Sequence, residues 1–536
     1  MRLIIKEHIL SMKEKDQLDF LLCDILLQKG YITDNKPKTG TRQYGVDIQA
    51  HRRDELLLVV VKQGNIDRNT WGGNMNAVRP SLDEILDLYT RLLTKEEKKK
   101  RLHIVVATNG VIEETVMPLW KGFITNHTVC NGKRITIEFW GIDEITAQAE
   151  EVLFNEHLFP LESQSLLRKA LYFVEERDYK PQYYERIIDS YIDSMSKEKG
   201  KNYYKIAASF LLATQMVAQY AANAKKYKIS VMVTEYAIIK YWKLLLLNKQ
   251  FGREKPLYWL HRLCEKYEQW NNMYYDNVRE ICTTEDACPL YSNVVEQKTM
   301  IYEVIGFLAS YGYYLVYKKA DKEDVISITD SIVQLINNCP QVYYPPFDDN
   351  ISELSLVLNL LKVCGRQKDL RAVISGICWH LSGWYLNFKK YPVPEVENRI
   401  AVRNAMLLEQ GVYDGEYICS GLWGYLLLWI AELNDRETFQ SIIDFLNSAL
   451  GNVTKCVWLL RGKDEALFYD RYTMQNAGEG INLSHIKNYK ELIRIYKAWL
   501  KQIKKEKYSY EQYSFPALEM IVCRYYGYVP RICQSK

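Results

Sequence analysis

The sequence predicts an α/β domain with a mixed sheet at the N-terminal end, followed by a large all-α region, a helical bundle or solenoid-like array. Three observations lead there. Helix-period and strand-period segments alternate as far as about residue 145. Beyond about residue 165 strand signals nearly vanish and long helical segments take over. Tyrosine use changes at the same place: of 41 tyrosines, only Tyr31, Tyr44 and Tyr89 fall in residues 1–165. The expected division is residues 1–150, a linker at 151–165, and residues 166–536 with room for two helical subdomains. At 48% hydrophobic and 25% charged, the 536-residue chain can bury sizeable cores, which excludes wholesale disorder, a collagen repeat and a small disulfide scaffold.

The elements follow in order. Residues 14–30 put Leu18, Leu21, Leu22, Ile25 and Leu26 on one helical stripe, with Gly30 as the C-cap. Residues 31–33 fit a short strand, and the polar stretch KPKTGTRQ (36–43) fits a loop. Residues 44–50 and 55–62 read as two strands joined by the charged turn HRRD. The run LLLVVVK lacks polar alternation, so its strand is expected to be buried on both faces. A loop containing WGGN precedes a helix that starts near Pro80 and Ser81 and reaches the KEEKKKR run at 95–101. Residues 102–107 form another buried strand ending at Thr108-Asn109-Gly110, where Asn109 reads as a turn residue favouring positive φ. A helix at about 112–126 and a strand at 135–140 complete the α/β part.

Segments 203–223, 229–249, 293–318, 417–433 and 486–505 are the clearest later helices. Their pairing suggests tetratricopeptide-like packing, although no dependable 34-residue period is present. Tyrosines recur there at helical spacing, as in Tyr267, Tyr274 and Tyr275, or Tyr313, Tyr314 and Tyr317. The plainer reading is helix–helix packing with each hydroxyl reaching a partner or water. The alternative is an aromatic groove that stacks a nucleotide, a base or a peptide.

The net charge is +4, and residues 1–165 carry 22 Lys/Arg against 24 Asp/Glu. DNA binding by such a chain requires a local basic patch or another subunit. The 12 cysteines include no CxxC pair and the 8 histidines are dispersed, which argues against a zinc site. The first seven residues are already charged and no run of 18 apolar residues occurs, so a soluble cytoplasmic protein with reduced thiols and no membrane contact is expected. No P-loop is present, so any energy-coupled step would fall to a partner such as an ATPase acting in trans.

The chemistry-bearing signal is Gly45-Val46-Asp47, followed by a second strand ending in Val60-Val61-Lys62. Adjacent strands presenting an acid and a lysine suit metal-dependent phosphodiester cleavage. The carboxylate holds Mg²⁺ (or Mn²⁺) through hard oxygen, and the lysine orients water or offsets charge developing in the transition state. Asp19, on the first helix, is the candidate for a second acid.

At these residues the chain resembles the Mrr-like restriction endonuclease branch of the PD-(D/E)XK nuclease superfamily, over about residues 14–145. The resemblance rests on Leu18-Asp19 in a helix closing at Gly30-Tyr31, on the GVD and VVK motifs, on VVATNG (105–110) and on IEFWGIDEI (137–145). It implies a restriction-endonuclease-like fold and Mg²⁺-dependent cleavage of DNA. Asp19 would then match the helix acid, Asp47 the central metal ligand and Lys62 the catalytic lysine. One departure stands out: the family pattern has Glu or Gln two residues before the lysine, where this chain has Val60. Gln49, two residues after Asp47, is the candidate for a relocated metal-ligating oxygen. The expectation is a DNA endonuclease effector, of the kind found in bacterial restriction or antiphage defence. Its helical region would mediate regulation, homo-oligomerisation or partner docking. The alternative is a catalytically degenerate nuclease fold serving as a DNA-binding or scaffold module, with the helical region as a ligand or protein receptor.

Overall fold

A computed structural model describes residues 5–6, 9–10, 12–33, 44–130, 132–153, 161–176, 179–284, 293–393, 398–412, 415–459, 461–471 and 479–533. The expected loop at 36–43 lies outside these residues. The chain divides into two compact units, Met1–Lys226 and Tyr227–Lys536.

In the first unit a π-helical turn, Glu14–Leu18, runs into helix α1, Asp19–Gln28. Strands β1 (Ile32–Thr33), β2 (Ile48–Arg52) and β3 (Glu55–Lys62) follow. Next come α2 (Arg68–Gly72), α3 (Val78–Glu84), a second π turn (Ile85–Tyr89) and α4 (Thr90–Leu92). Strand β4 (Arg101–Thr108), helix α5 (Met117–Asn126), the β5–β6 hairpin (Val129–Cys130 and Lys133–Arg134), β7 (Thr136–Trp140) and α6 (Ile142–Leu153) complete the sheet layer. Helices α7 (Leu161–Glu175), α8 (Gln182–Lys197) and α9 (Lys201–Asn223) also fall within this unit.

The sheet has the order β1-β2-β3-β4-β7 and is mixed: β2 pairs antiparallel with β1 and β3, whereas β3, β4 and β7 run parallel. The unbroken apolar run of β3 is explained by burial on both sides, as expected. Leu56, Leu58 and Val60 face a core built with Trp71, Val78, Leu82, Trp120 and Phe123 from the helices on one side. Leu57, Val59 and Val61, pointing the other way, are also buried. The WGGN stretch is not all loop. Asp67 accepts the Thr70 N–H at 2.7 Å and caps a one-turn helix that drives Trp71 into the core, edge-on to Trp120 and Phe123.

The second unit is built mainly of helices: α10 (Tyr227–Leu247), α11 (Glu254–Thr283), α12 (Val294–Lys318), α13 (Lys322–Asn338), α14 (Ile351–Val363), α15 (Gln367–Phe388) and α16 (Asn398–Glu409). The expectation of an all-α remainder needs correction, because strands β8 (Cys419–Ser420), β9 (Thr454–Leu459) and β10 (Glu479–Asn482) form a three-stranded sheet in the order β10-β9-β8. Interleaved with and following them are α17 (Gly421–Glu432), α18 (Arg436–Ser448), α19 (Glu465–Phe468), α20 (Tyr489–Ile503), α21 (Ser509–Gln512) and α22 (Ala517–Tyr526). The tyrosines act as packing units. Tyr267, Tyr311 and Tyr314 meet ring to ring, Tyr302 donates to the Val342 carbonyl, and the Tyr275 hydroxyl lies 3.1 Å from the Ser327 carbonyl. Among the described residues no helix is long and apolar enough to cross a membrane.

Gly45 is the tightest point in the turn leading into β2. Its φ is +80°, and a Cβ there would lie 2.2 Å from the Ser81 carbonyl oxygen. Gly64 has φ +76° but open space around it. Gly45→Ala is therefore expected to destabilise the first unit by about 2–4 kcal/mol, combining backbone strain with a backbone clash, whereas Gly64→Ala costs about 1 kcal/mol. Urea denaturation followed by hydrogen exchange in β2–β3 peptides measures both.

Candidate active site

Asp47 sits one residue before β2, just after a turn in which Tyr44 (φ 48°) and Gly45 (φ 80°) take left-handed conformations. Its N–H donates to the Val59 carbonyl at 2.9 Å. Its Oδ2 accepts the Val61 N–H at 2.7 Å, which ties the carboxylate to the end of β3 beside Lys62. Burial raises the Asp47 pKa; the Val61 N–H and the charges of Lys62 and Lys15 oppose that rise. The carboxyl group is thus costly to ionise and is faced by two lysines.

A second acid belongs to the same field. Glu14 opens the π turn, and burial raises its pKa. Lys62 pulls it back, the Asp47 charge adds to the rise, and the Gln63 N–H lowers it by hydrogen bonding. So the structure brings together Glu14, Lys15, Asp47, Lys62 and the amides of Val61 and Gln63 at the C-terminal end of β3. π-helical turns are frequent at functional sites.

Of the other sequence candidates, Gln49 and Val60 have their partners outside this cluster. Asp19 is buried, and its Oδ1 accepts the Phe20 N–H at 2.8 Å. Glu14, a little over one turn earlier, is an acid that senses both Asp47 and Lys62. Gln49 is buried on the face covered by the helices; its Oε1 accepts the Tyr89 hydroxyl and its Nε2 donates to Glu97 at 2.8 Å. Val60 is fully buried in the apolar core with Trp71 and Leu82. The position two before the lysine is thus a packing position here, and its carbon side chain offers no ligand.

Asn109 is the residue that sequence reasoning most undervalued. It is not among the positive-φ residues, and it is buried. Its Oδ1 accepts the Gly64 N–H at 2.7 Å, just past Lys62. Its Nδ2 is shared among the carbonyls of Ile9 (3.1 Å), Leu10 (3.1 Å) and Met12 (2.8 Å), just before Glu14. Nearby, Thr108 Oγ1 donates to the Gly64 carbonyl at 2.5 Å. One amide therefore holds the chain leading into the Glu14 turn against the loop that follows Lys62.

Among the described residues no group of three or more His, Cys, Asp or Glu side chains is gathered to hold a metal ion. The Glu14 and Asp47 pair nevertheless suits Mg²⁺, which commonly uses one or two carboxylates and completes its shell with water and substrate phosphate oxygens. Two acids that burial disfavours, one raised further by the other, are the kind of pair a divalent cation relieves. No family model, curated protein or solved structure matches this chain.

Two expectations follow. Asn109→Ala removes the partner of the Gly64 N–H and a donor shared by three carbonyls, of which Ile9 keeps the Met12 N–H, and should cost about 2–4 kcal/mol while raising hydrogen exchange at Gly64 and Met12. The second concerns pH. Both acids have raised pKa values in the folded state. Below the unfolded-state carboxylate pKa both states are protonated and nothing changes. Above it the unfolded chain ionises first, so stability falls as pH rises until the folded acids ionise too. Glu14→Gln or Asp47→Asn should flatten that fall and leave the first unit at least as stable as wild type at neutral pH, measured by thermal unfolding from about pH 4 to 8.

Proposed function

We propose that the first unit is a Mg²⁺-dependent phosphodiesterase that cleaves DNA, an endonuclease of the Mrr-like PD-(D/E)XK kind. The observation that carries this reading is the meeting of two burial-strained acids, Glu14 and Asp47, with Lys62 at the end of a parallel strand. DNA as the substrate rests on the resemblance of the GVD, VVK and TNG stretches to that family.

Glu14 and Asp47 would hold the metal, which when bound polarises the phosphate and lowers the pKa of attacking water. Lys62 would orient that water or offset charge growing on the phosphate oxygens. Lys15, exposed on the π turn, would meet the DNA backbone. The helical unit would regulate the nuclease, assemble copies of the chain or dock a partner, with any ATP-driven step supplied in trans.

A second reading is favoured by Val60. With the position two before Lys62 given to the core, the unit would bind nucleic acid without cutting it.

The test is plasmid nicking by the full chain with Mg²⁺, Mn²⁺ or EDTA. Cleavage is expected only with metal, and Asp47→Ala, Lys62→Ala and Glu14→Gln should each lose about 10²-fold or more. Asp19→Asn and Gln49→Ala should stay within several-fold of wild type. Undiminished cleavage by Asp47→Ala overturns the assignment. Metal-independent DNA binding without cleavage by wild type supports the second reading.

A further inference from the structure

In the second unit β8 pairs parallel with β9, Cys419 opposite Thr454 and Ser420 opposite Lys455. Cys456 lies two residues beyond the partner of Cys419, so strand alternation sends both side chains to one face. Their sulfurs are 3.4 Å apart. A covalent S–S bond is about 2.0 Å, so little more than an ångström separates the pair from bonding distance.

The backbone on either side is pinned. Ser420 Oγ donates to Asp348 Oδ1 at 2.5 Å and accepts the Trp423 N–H at 3.1 Å, capping α17. Gly421 N–H also donates to Asp348, at 2.6 Å. On the other strand the Lys455 ammonium, 1% exposed, donates to the carbonyls of Leu446, Leu450 and Val453. The two thiols are held in place by surroundings that do not depend on a bond between them.

They also differ in a useful way. Cys419 is exposed, whereas Cys456 is partly buried. Burial, with the hydrogen bond to Cys419 adding to it, pushes the Cys456 thiol up to about 12. A thiol kept protonated is a poor first nucleophile, so the exposed partner meets the oxidant first.

We propose that Cys419 and Cys456 form a peroxide-responsive thiol pair that closes to an intrachain disulfide. The Cys419 sulfur attacks one oxygen of hydrogen peroxide; an S–O bond forms, the O–O bond breaks and water leaves. The Cys456 sulfur then attacks the Cys419 sulfur. The S–S bond forms, the S–O bond breaks, and the Cys456 proton departs with the hydroxide as a second water. Two thiols are oxidised by two electrons and one peroxide is reduced to two waters. The closed loop spans α17 and α18 and fixes the strand that caps α17, so oxidation should stiffen this part of the unit.

The test treats the reduced full chain with hydrogen peroxide, blocks remaining thiols and maps peptides without reduction. Expected are a Cys419–Cys456 crosslink, a mass loss of about 2 Da for the pair reversed by dithiothreitol, and a higher melting temperature. Cys456→Ser should stop at a sulfenic acid on Cys419 that dimedone traps, and Cys419→Ser should give neither crosslink nor trapped Cys456. Alkylation of both cysteines after peroxide, or a trapped sulfenic acid on Cys456 in Cys419→Ser, overturns the proposal.

Discussion

The carboxamide of Asn109 fixes where the N-terminal segment meets the sheet. It binds the Gly64 N–H on one side and the carbonyls of Ile9, Leu10 and Met12 on the other. The site depends on that junction, because Glu14 lies two residues after the bound Met12 carbonyl and Lys62 two residues before the bound Gly64 amide. The junction is so close that a Cβ on Gly110 would lie 2.3 Å from the Gly64 carbonyl carbon. The TNG stretch is thus a joint, and its three residues have distinct parts: Thr108 and Asn109 hydrogen-bond the Gly64 loop, and Gly110 leaves room for it.

The joint holds groups that burial makes costly to the fold. Glu14 and Asp47 are carboxyls that burial makes hard to ionise, and the lysines offset this only in part. A core residue such as Val60 adds apolar burial without such a penalty. Local conflicts of this kind are expected where a site takes precedence over stability.

Much of the sheet was legible from residues alone. The run from Leu56 to Val61 identified a strand covered on both faces, and the GVD and VVK stretches nominated Asp47 and Lys62; the Asp47 carboxylate accepts the Val61 N–H, one residue before Lys62. Glu14 was hidden by helix phase. It shares the stripe of Leu18, Leu22 and Ile25, and a charge on that stripe was a signal, but Asp19 lies close to the stripe too and drew the assignment. Asn109 was hidden because its identity suits a turn, whereas its work is done by side-chain bonds to residues nearly a hundred positions away. The strands β8 and β10 are two and four residues long, too short to carry a pattern amid helices. Asp67, a recognisable cap, could have revealed the short helix that buries Trp71.

Glu14 and Asp47 are proposed to act on one divalent cation. Mn²⁺ titration of the full chain, followed by electron paramagnetic resonance, measures this without requiring turnover. One bound Mn²⁺ per chain is predicted, with binding weakened about ten-fold or more by either Glu14→Gln or Asp47→Asn and unchanged by Asp19→Asn. Undiminished binding in Glu14→Gln together with loss in Asp19→Asn would contradict the account.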